Sequence, residues 1–139
     1  MEIAVLGFVG SKNIGDYIQT KAVIDIIDSK KTRILDRENL DKYNDDDIKT
    51  IVNGWFMENP KNWPPSNRII PLFISFHINP SAQGELLKKE SLEYLKKHEP
   101  IGCRDHYTRD ILIEKGIKAY YSSCVTTSLQ RSKYLKKNK

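Results

Sequence analysis

Short apolar runs alternate along this chain with segments of helical period, and this alternation limits the folds that the chain can adopt. The first run, IAVLGFV at residues 3–9, is continuous, which is typical of a strand buried on both faces. The segment that follows, DYIQTKAVIDIIDSK, has apolar residues at helical spacing, namely Ile18, Ala22, Val23, Ile26 and Ile27. Strands alternating with helices predict an α/β fold in which helices cover both faces of an open, mostly parallel sheet.

Further elements are predicted along the rest of the chain. Apolar runs predict five more strands, at residues 32–36, 50–56, 72–78, 100–105 and 117–123, the third of these starting after Pro71. Helical periodicity predicts helices at about residues 81–98 and at residues 107–116, the second one closed by Gly116. Residues 59–67, NPKNWPPSN, contain three prolines and are predicted to form a loop.

Polar and turn-rich segments follow the predicted strands. In open parallel sheets, ligands bind beyond the carboxyl ends of the strands. The segments expected at those ends are residues 10–16, 53–55, 77–79, 102–105 and 122–127. The sequence therefore predicts a functional site at this edge of the sheet.

The loop after the first strand contains Gly7, Gly10 and Gly15, which at first sight indicates a phosphate-binding loop. Its spacing matches neither GxGxxG nor the GxxxxGK motif, and no Lys-Ser or Lys-Thr pair follows Gly15. Asp16, at the expected N-cap of the next helix, would repel a phosphate placed there. Its carboxylate is expected to cap the helix or to accept hydrogen bonds from sugar hydroxyls, and a tight turn with a capping Asp is an equal alternative.

Arg104 and His77 are candidate functional residues because each lies at the predicted carboxyl end of a strand. The Arg104 guanidinium could bind a carboxylate or phosphate, or form a structural salt bridge with Asp105 or another carboxylate. His77 could act as an acid or base, or its ring could pack while hydrogen-bonded to a backbone carbonyl. Trp55 and Phe56 could stack on a sugar ring or belong to a lid or the core.

The positive charge of the chain is concentrated at its end. The chain has 23 basic and 18 acidic residues, and the last nine, RSKYLKKNK, contain five basic residues and no acidic one. This distribution argues against a nucleic-acid-binding surface and predicts one domain at residues 1–130 followed by a basic tail at 131–139. No apolar run is long enough for a membrane span and no signal-peptide pattern is present, so a cytoplasmic location is expected. Two cysteines and three scattered histidines predict no metal site.

Four segments together resemble a known family. NIGDYIQTKAV, NGWF, FISFHI and PIGCRDHYTRDILIEKGIKAYYSSCVTTSL occur in this order, and over most of residues 3–129 the chain resembles the N-terminal domain of the polysaccharide pyruvyl transferase family. The resemblance implies a Rossmann-like domain that forms one half of a GT-B-like architecture. It also implies that phosphoenolpyruvate donates a pyruvyl group to a saccharide hydroxyl in exopolysaccharide or cell-surface glycan biosynthesis, with no cofactor besides this donor substrate.

The resemblance also implies positions for the site. Asn13, Gly15 and Asp16 match the first loop of the family, and Arg104 matches the arginine of its RD motif. Asn53 and Gly54 match its third-strand loop, and residues 122–124 match the end of the last strand, where the chain approaches a second domain. The candidate catalytic residues are Arg104, His77 and Asp16, and the candidate substrate-binding residues are Asn13, Gly15, Asn53, Gly54 and Ser123.

Family members usually continue into a second domain that carries much of the donor site, whereas this sequence stops at KYLKKNK. The chain is therefore expected to be a fragment, a half that pairs with another polypeptide, or a single-domain relative. An enzyme completed by a second domain is the first hypothesis, and a non-catalytic domain that binds a saccharide or metabolite and pairs with another chain is the alternative. In both cases an exposed interdomain face predicts self-association or a second-domain partner.

Overall fold

The computed structural model of this protein describes residues 2–28 and 31–129, and the helices and strands given below belong to that part of the chain. The strands are β1 (Ile3–Gly7), β2 (Arg33–Asp36), β3 (Ile48–Phe56), β4 (Ile69–Ile78), β5 (Ile101–Cys103) and β6 (Ala119–Tyr121). The α-helices are α1 (Ile14–Ile27), α2 (Gln83–Leu86), α3 (Lys89–Lys97) and α4 (His106–Glu114). Short 3-10 turns occupy Arg37–Lys42, Pro60–Asn62, Pro80–Ala82 and Val125–Ser128. The basic tail predicted at 131–139 lies outside the described residues.

The strands form one open sheet in the order β2-β1-β3-β4-β5-β6, and every neighbouring pair is parallel. This architecture confirms the predicted α/β, Rossmann-like fold. From β1 the chain first winds outward to β2 and then returns across β1 to build β3 to β6 on the other side. The order of the strands therefore reverses between β1 and β3, and the loops beyond their carboxyl ends diverge there to leave a crevice.

Two hydrophobic clusters cover the two faces of the sheet. Successive residues of a strand point to opposite faces, and accordingly Val5 belongs to one cluster whereas Ala4 and Leu6 belong to the other. Helix α1 covers the Val5 side through Ala22 and Val23. The opposite side is covered by the helices α2 to α4, the 3-10 segment Arg37–Lys42 and the loop after Pro60–Asn62, through Leu40, Trp63, Leu86, Leu95 and Leu112. The prediction of helices on both faces is confirmed.

The apolar stripe predicted on α1 is only partly buried. Ala22 is fully buried, whereas Ile18 and Ile26 are 40% and 51% exposed. Residues four apart on a helix are offset by roughly 40° around its axis. With Ala22 facing the sheet, Ile18 and Ile26 therefore lie on opposite flanks of the contact, and the stripe is narrower than the sequence predicts.

Two predicted boundaries are wrong. Strand β4 begins at Ile69 and continues through Pro71, instead of starting after it. The Arg68 carbonyl accepts the Ile48 N–H of β3, and alternate residues of a strand bond to opposite neighbours, so Pro71 faces the β5 side and not β3. Because β5 pairs with β4 only at Phe76 and Cys103, no N–H is required from Pro71 on that side, and proline is tolerated at such positions. The single helix predicted at 81–98 is divided into α2 and α3, and the Ser91 hydroxyl donates to the Glu85 carbonyl across the break at 2.6 Å.

Candidate functional site

A pocket of about 520 Å³, lined mostly by residues of polar type, lies at the carboxyl edge of the sheet, where the strand order reverses. Its walls come from the β1–α1 loop, from α1 and from the ends of β2, β3 and β5. The lining residues are Gly10, Ser11, Lys12, Asn13, Asp16, Gln19, Arg37, Trp55, Glu58 and Arg104. The edge of the sheet at which the sequence predicts a site is thus the edge that carries this pocket, at the position where open α/β sheets bind ligands.

The β1–α1 loop forms the first wall of the pocket. Asn13 is the N-cap of α1, because its side chain accepts a hydrogen bond from the Gly15 N–H at 2.9 Å. The Ser11 hydroxyl donates to the Asp16 carboxylate, and the Tyr17 hydroxyl donates to the Ser11 carbonyl at 2.8 Å. These bonds fix the loop on the end of the helix.

The expectation that Asp16 caps α1 is therefore wrong. The helix begins at Ile14, so Asp16 lies inside the first turn, and Asn13 occupies the cap. Asp16 instead lines the pocket with a carboxylate that is 12% exposed, beside Ser11 and 4.0 Å from the Arg37 guanidinium. A first-turn carboxylate still interacts favourably with the positive end of the helix dipole. Asp16 is thus available to accept a hydrogen bond from a ligand.

Arg37 lines the pocket, although it was not among the residues predicted from the sequence. It follows β2 directly, and only 3% of the residue is exposed. Its guanidinium lies between two aromatic rings, 4.7 Å from the centre of Phe8 and 5.1 Å from that of Trp55. Its Nε donates to the Glu38 carboxylate at 2.5 Å. A cation placed directly after a strand is the signal that pointed to Arg104, and the same signal could have identified Arg37.

Glu38 connects Arg37 to the loop that follows β3. Besides the bond from Arg37, its carboxylate accepts the Glu58 N–H at 2.9 Å and the Asn59 N–H at 2.7 Å. The Asn62 side chain donates to the Glu38 carbonyl at 2.7 Å. These bonds hold Glu58 at the rim of the pocket, opposite the β1–α1 loop.

Gly54 and Asn53 lie beneath the pocket and do not line it. Gly54 has a φ of +86°, and a Cβ at this position would lie 2.5 Å from Gln19 Oε1 and 3.5 Å from Phe8. Glycine therefore allows α1 to bring Gln19 directly onto β3. Asn53 is 1% exposed, and its Nδ2 has no hydrogen-bond partner among the described residues. The Gly15 N–H, similarly, is used within the helix cap.

Arg104 completes the pocket from the side of β5. Its backbone N–H donates to the Phe76 carbonyl at 2.9 Å, which fixes the start of the segment between β5 and α4. Within residues 2–28 and 31–129, the Arg104 side chain has neither of the alternative salt bridges considered from the sequence. Together with the exposed Lys12 across the opening, it gives the pocket cations that no described carboxylate neutralises.

His77 and Asp105 form a pair beside the pocket. The His77 Nδ1 lies 2.5 Å from Asp105 Oδ2, and the other carboxylate oxygen caps α4 by accepting the Thr108 N–H at 2.8 Å. Burial raises the pKa of Asp105, but the hydrogen bonds from Thr108 and His77 outweigh burial and hold that pKa below its ordinary value. His77 is thus bonded to a carboxylate, instead of the backbone carbonyl considered from the sequence. In the sheet it is the register partner of Trp55, one strand away from the pocket wall.

Ser123 does not line the pocket. Its φ is +55°, and its carbonyl accepts the Ser75 hydroxyl at 2.6 Å, which ties the segment after β6 to β4. Phe56 is fully buried in the core, whereas its neighbour Trp55 lines the pocket. The structure therefore brings Asn13, Asp16 and Arg104 together.

Neither a metal cluster nor a membrane-spanning helix occurs in the described part of the chain. Within residues 2–28 and 31–129, no group of three His, Cys, Asp or Glu side chains is arranged to hold a metal ion. In the same residues, no helix has the length and apolar character required to cross a membrane.

An open parallel sheet with a polar pocket at the point where the strand order reverses defines an α/β domain of Rossmann-like architecture. The family model described as polysaccharide pyruvyl transferase matches residues 13–139 of the chain. The protein therefore belongs to the polysaccharide pyruvyl transferase family. No curated protein and no solved structure matches it significantly.

Proposed function

We propose that this chain binds the saccharide acceptor in an enzyme that transfers the pyruvyl group of phosphoenolpyruvate to a saccharide hydroxyl, in the synthesis of an exopolysaccharide or cell-surface glycan. Membership of the family supports the class of reaction. The observation that carries the proposal for this chain is the pocket itself, in which carboxylates, an indole ring and unneutralised cations face one cavity. The proposed reaction uses no cofactor besides the donor substrate and takes place in the cytoplasm.

The acceptor-binding role is supported by three pocket residues. Asp16 and Glu58 present carboxylate oxygens, which accept hydrogen bonds from sugar hydroxyls. Trp55 presents an aromatic ring against which the apolar side of a sugar ring packs. In the proposed reaction, one of the two carboxylates accepts the proton of the attacking hydroxyl.

The donor is an anion, and the proposal assigns it to the two unneutralised cations at the opening of the pocket. Arg104 and Lys12 have the charge and position to contact the carboxylate or phosphate of phosphoenolpyruvate. The donor methylene takes up a proton, C2 becomes electrophilic, and two acceptor hydroxyls form C–O bonds to C2 while the bond to phosphate breaks. Of the two hydroxyl protons, one balances the proton taken up by the methylene and one leaves with inorganic phosphate. His77 is assigned the transfer to the methylene, because Asp105 orients its ring and leaves Nε2 for the substrate.

A second Rossmann-like half is proposed to close the pocket, as in a GT-B-like enzyme. Apolar residues stand exposed on and beside the pocket loop: Val9 is 79%, Ile14 is 74% and Tyr17 is 52% exposed. A cluster of this kind beside a polar opening is typical of a surface that a partner covers. The half is proposed to come from a further segment of the same polypeptide, from another polypeptide or from a second copy of this chain, and the oligomeric state and reconstitution distinguish these sources.

The proposal is tested by incubating the chain, alone and with its second half, with phosphoenolpyruvate and a polysaccharide acceptor. Release of inorganic phosphate together with a pyruvate ketal signal in the NMR spectrum of the polysaccharide supports it. Arg104→Gln should reduce turnover by about 10- to 100-fold, the effect of losing a charge-assisted hydrogen bond. Arg109→Gln is the matched control, because Arg109 pairs with Asp110 and does not line the pocket.

Two results would contradict the proposal. Absence of ketal with both halves present excludes the enzyme, and saccharide binding without turnover would identify a non-catalytic binding domain. If Arg109→Gln reduces turnover as much as Arg104→Gln does, the loss does not depend on a residue that lines the pocket, and the pocket is not the site of the reaction.

A further inference from the structure

We infer that Arg37 and Gln19, at the floor of the pocket, form hydrogen bonds with the hydroxyls of the acceptor and so select a neutral sugar ring. The anionic donor binds instead at Arg104 and Lys12. The inference rests on the proposed function, and it assigns an orientation and two specificity residues to the same site. Neither residue was among the candidates found from the sequence.

The first observation is a pair of buried, unpartnered atoms that belong to residues lining the pocket. Arg37 Nη1 and Gln19 Oε1 are both buried, and neither has a hydrogen-bond partner among the described residues. Both residues line the pocket, and they are only 3% and 8% exposed. A buried donor or acceptor without a partner is unfavourable, and sites of this kind are found where a ligand or an ordered water completes the bonding.

The second observation is the charge around Arg37. Its guanidinium is bonded to Glu38 at 2.5 Å and lies 4.0 Å from the Asp16 carboxylate. Two carboxylates therefore already face one guanidinium, and a phosphate or carboxylate bound at Nη1 would be repelled by both. A neutral acceptor, such as a hydroxyl oxygen, meets no such repulsion.

The third observation is the opposite polarity of the two unpartnered atoms. Arg37 Nη1 can only donate and Gln19 Oε1 can only accept, so a group that satisfies both must accept from one and donate to the other. Hydroxyls do both, whereas an ionised carboxylate has no proton to donate. The carboxylates of Asp16 and Glu58, which also line the pocket, likewise require hydrogen-bond donors from the ligand.

The cations that no described carboxylate neutralises lie elsewhere in the pocket. Arg104 follows β5, which lies four places from β2 in the sheet, whereas Arg37 follows β2 directly, and the exposed Lys12 belongs to the β1–α1 loop at the opening of the pocket. The pocket therefore has a floor that suits neutral hydroxyl groups and a rim that suits an anion. This separation assigns the acceptor sugar to the Arg37 side and phosphoenolpyruvate to the Arg104 side.

The test is an NMR titration of the full chain with methyl hexopyranosides, and separately with phosphoenolpyruvate and with inorganic phosphate. Gln19→Met keeps the length of the side chain and removes the acceptor, and Arg37→Lys keeps the charge and removes the planar fork of donors. We expect each change to weaken the binding of hexopyranosides by about five- to tenfold and to leave the binding of phosphoenolpyruvate within about twofold of wild type. Gln83→Met and Arg68→Lys are matched controls away from the pocket, and they should leave both affinities unchanged.

The results separate this inference from the proposed function. Unchanged hexopyranoside binding in Gln19→Met and Arg37→Lys overturns the inference, as does hexopyranoside binding too weak to detect, while ketal formation by the assembled enzyme can still uphold the proposed function. Loss of phosphate or phosphoenolpyruvate binding in Arg37→Lys also overturns it, because Arg37 would then be an anion site. Since Arg37 is buried, its variant could fail to fold, and Gln19→Met decides the inference in that case.

Discussion

Replacing Gly54 with alanine tests how β3 and α1 together build the floor of the pocket. The φ of Gly54 is +86°, and the new methyl group would lie 2.5 Å from Gln19 Oε1. Backbone strain in the left-handed region costs about 1–2 kcal/mol for a residue with a Cβ. Gln19 Oε1 has no hydrogen-bond partner among the described residues, so its displacement breaks no bond to them. We therefore expect the free energy of unfolding to fall by about 1–2 kcal/mol, with most of the loss due to strain.

Two other glycines separate the cost of backbone strain from the cost of the contact with Gln19. All three variants are unfolded with urea, and unfolding is monitored by circular dichroism. Gly116 also has a positive φ, +81°, but a Cβ there would meet nothing within 4 Å, so Gly116→Ala measures strain alone. Gly84 lies in α2 with open space around it, so Gly84→Ala should raise the free energy of unfolding by up to about 1 kcal/mol. Gly54→Ala should match Gly116→Ala in stability, yet it alone should weaken the binding of hexopyranosides. Stability equal to that of Gly84→Ala, or unchanged sugar binding in a folded Gly54→Ala protein, would refute this account of the floor.

Three further predictions concern residues outside the floor. The pKa of Asp105 is held below its ordinary value of 3.8, so the stability it contributes is present above that pH and is lost as the pH falls through the lower folded-state pKa. Asp105→Asn keeps a side chain that can cap the helix, and the free energy of unfolding of this variant should fall less than that of the wild type between neutral and acidic pH. Urea unfolding at several pH values measures this difference, and equal pH dependence in the two proteins would contradict the prediction. Tyr94 has a buried hydroxyl with no partner among the described residues, so Tyr94→Phe should leave the free energy of unfolding unchanged or raise it by about 1 kcal/mol. The Tyr43 hydroxyl donates to the Asp46 carbonyl at 2.7 Å, so Tyr43→Phe should instead lower the free energy of unfolding by about 1 kcal/mol. Burial, with the charge of Asp105 as a second cause, raises the pKa of the Cys103 thiol to about 12, so iodoacetamide should modify the partly exposed Cys124 first in the folded protein, as read by mass spectrometry. Equal labelling rates would contradict the burial of Cys103.

The fold was predictable because its signal is local. Continuous apolar runs and helical periodicity identify the six strands of the described sheet and the covering of both its faces. The errors concern features that depend on neighbours in space. Pro71 is tolerated within β4 because β5 is too short to pair there, and the length of β5 cannot be predicted from the sequence of β4.

The site was predictable only in part, for a related reason. Asp16 and Arg104 lie at strand ends and were found by that criterion, whereas Asn13 was proposed from the resemblance to the family. Arg37 lies at a strand end as well, but in a densely charged segment that is typical of a solvated turn. Its burial between two aromatic rings follows from the order of the strands, which brings β2 beside β1, and no local pattern encodes that order.

The choice of helix cap shows the limit of local rules. Asn13 and Asp16 are both favourable N-cap residues, and they are three positions apart. The Ser11 hydroxyl bonds to the Asp16 carboxylate and accepts the Asn13 N–H, which places Asn13 at the cap. Asp16 is thereby directed to the pocket, and a residue predicted to cap a helix becomes a candidate ligand contact.

The central claim is that the pocket at the reversal of strand order binds a saccharide through the residues that line it. The most direct measurement is the mapping of backbone amide shifts in the chain as a methyl hexopyranoside is added. We expect the largest shifts at Asp16, Gln19, Arg37, Trp55 and Glu58, and we expect phosphoenolpyruvate added separately to shift Lys12 and Arg104 most. Saccharide-induced shifts that spare these residues, or that cluster on another surface of the domain, would contradict the claim.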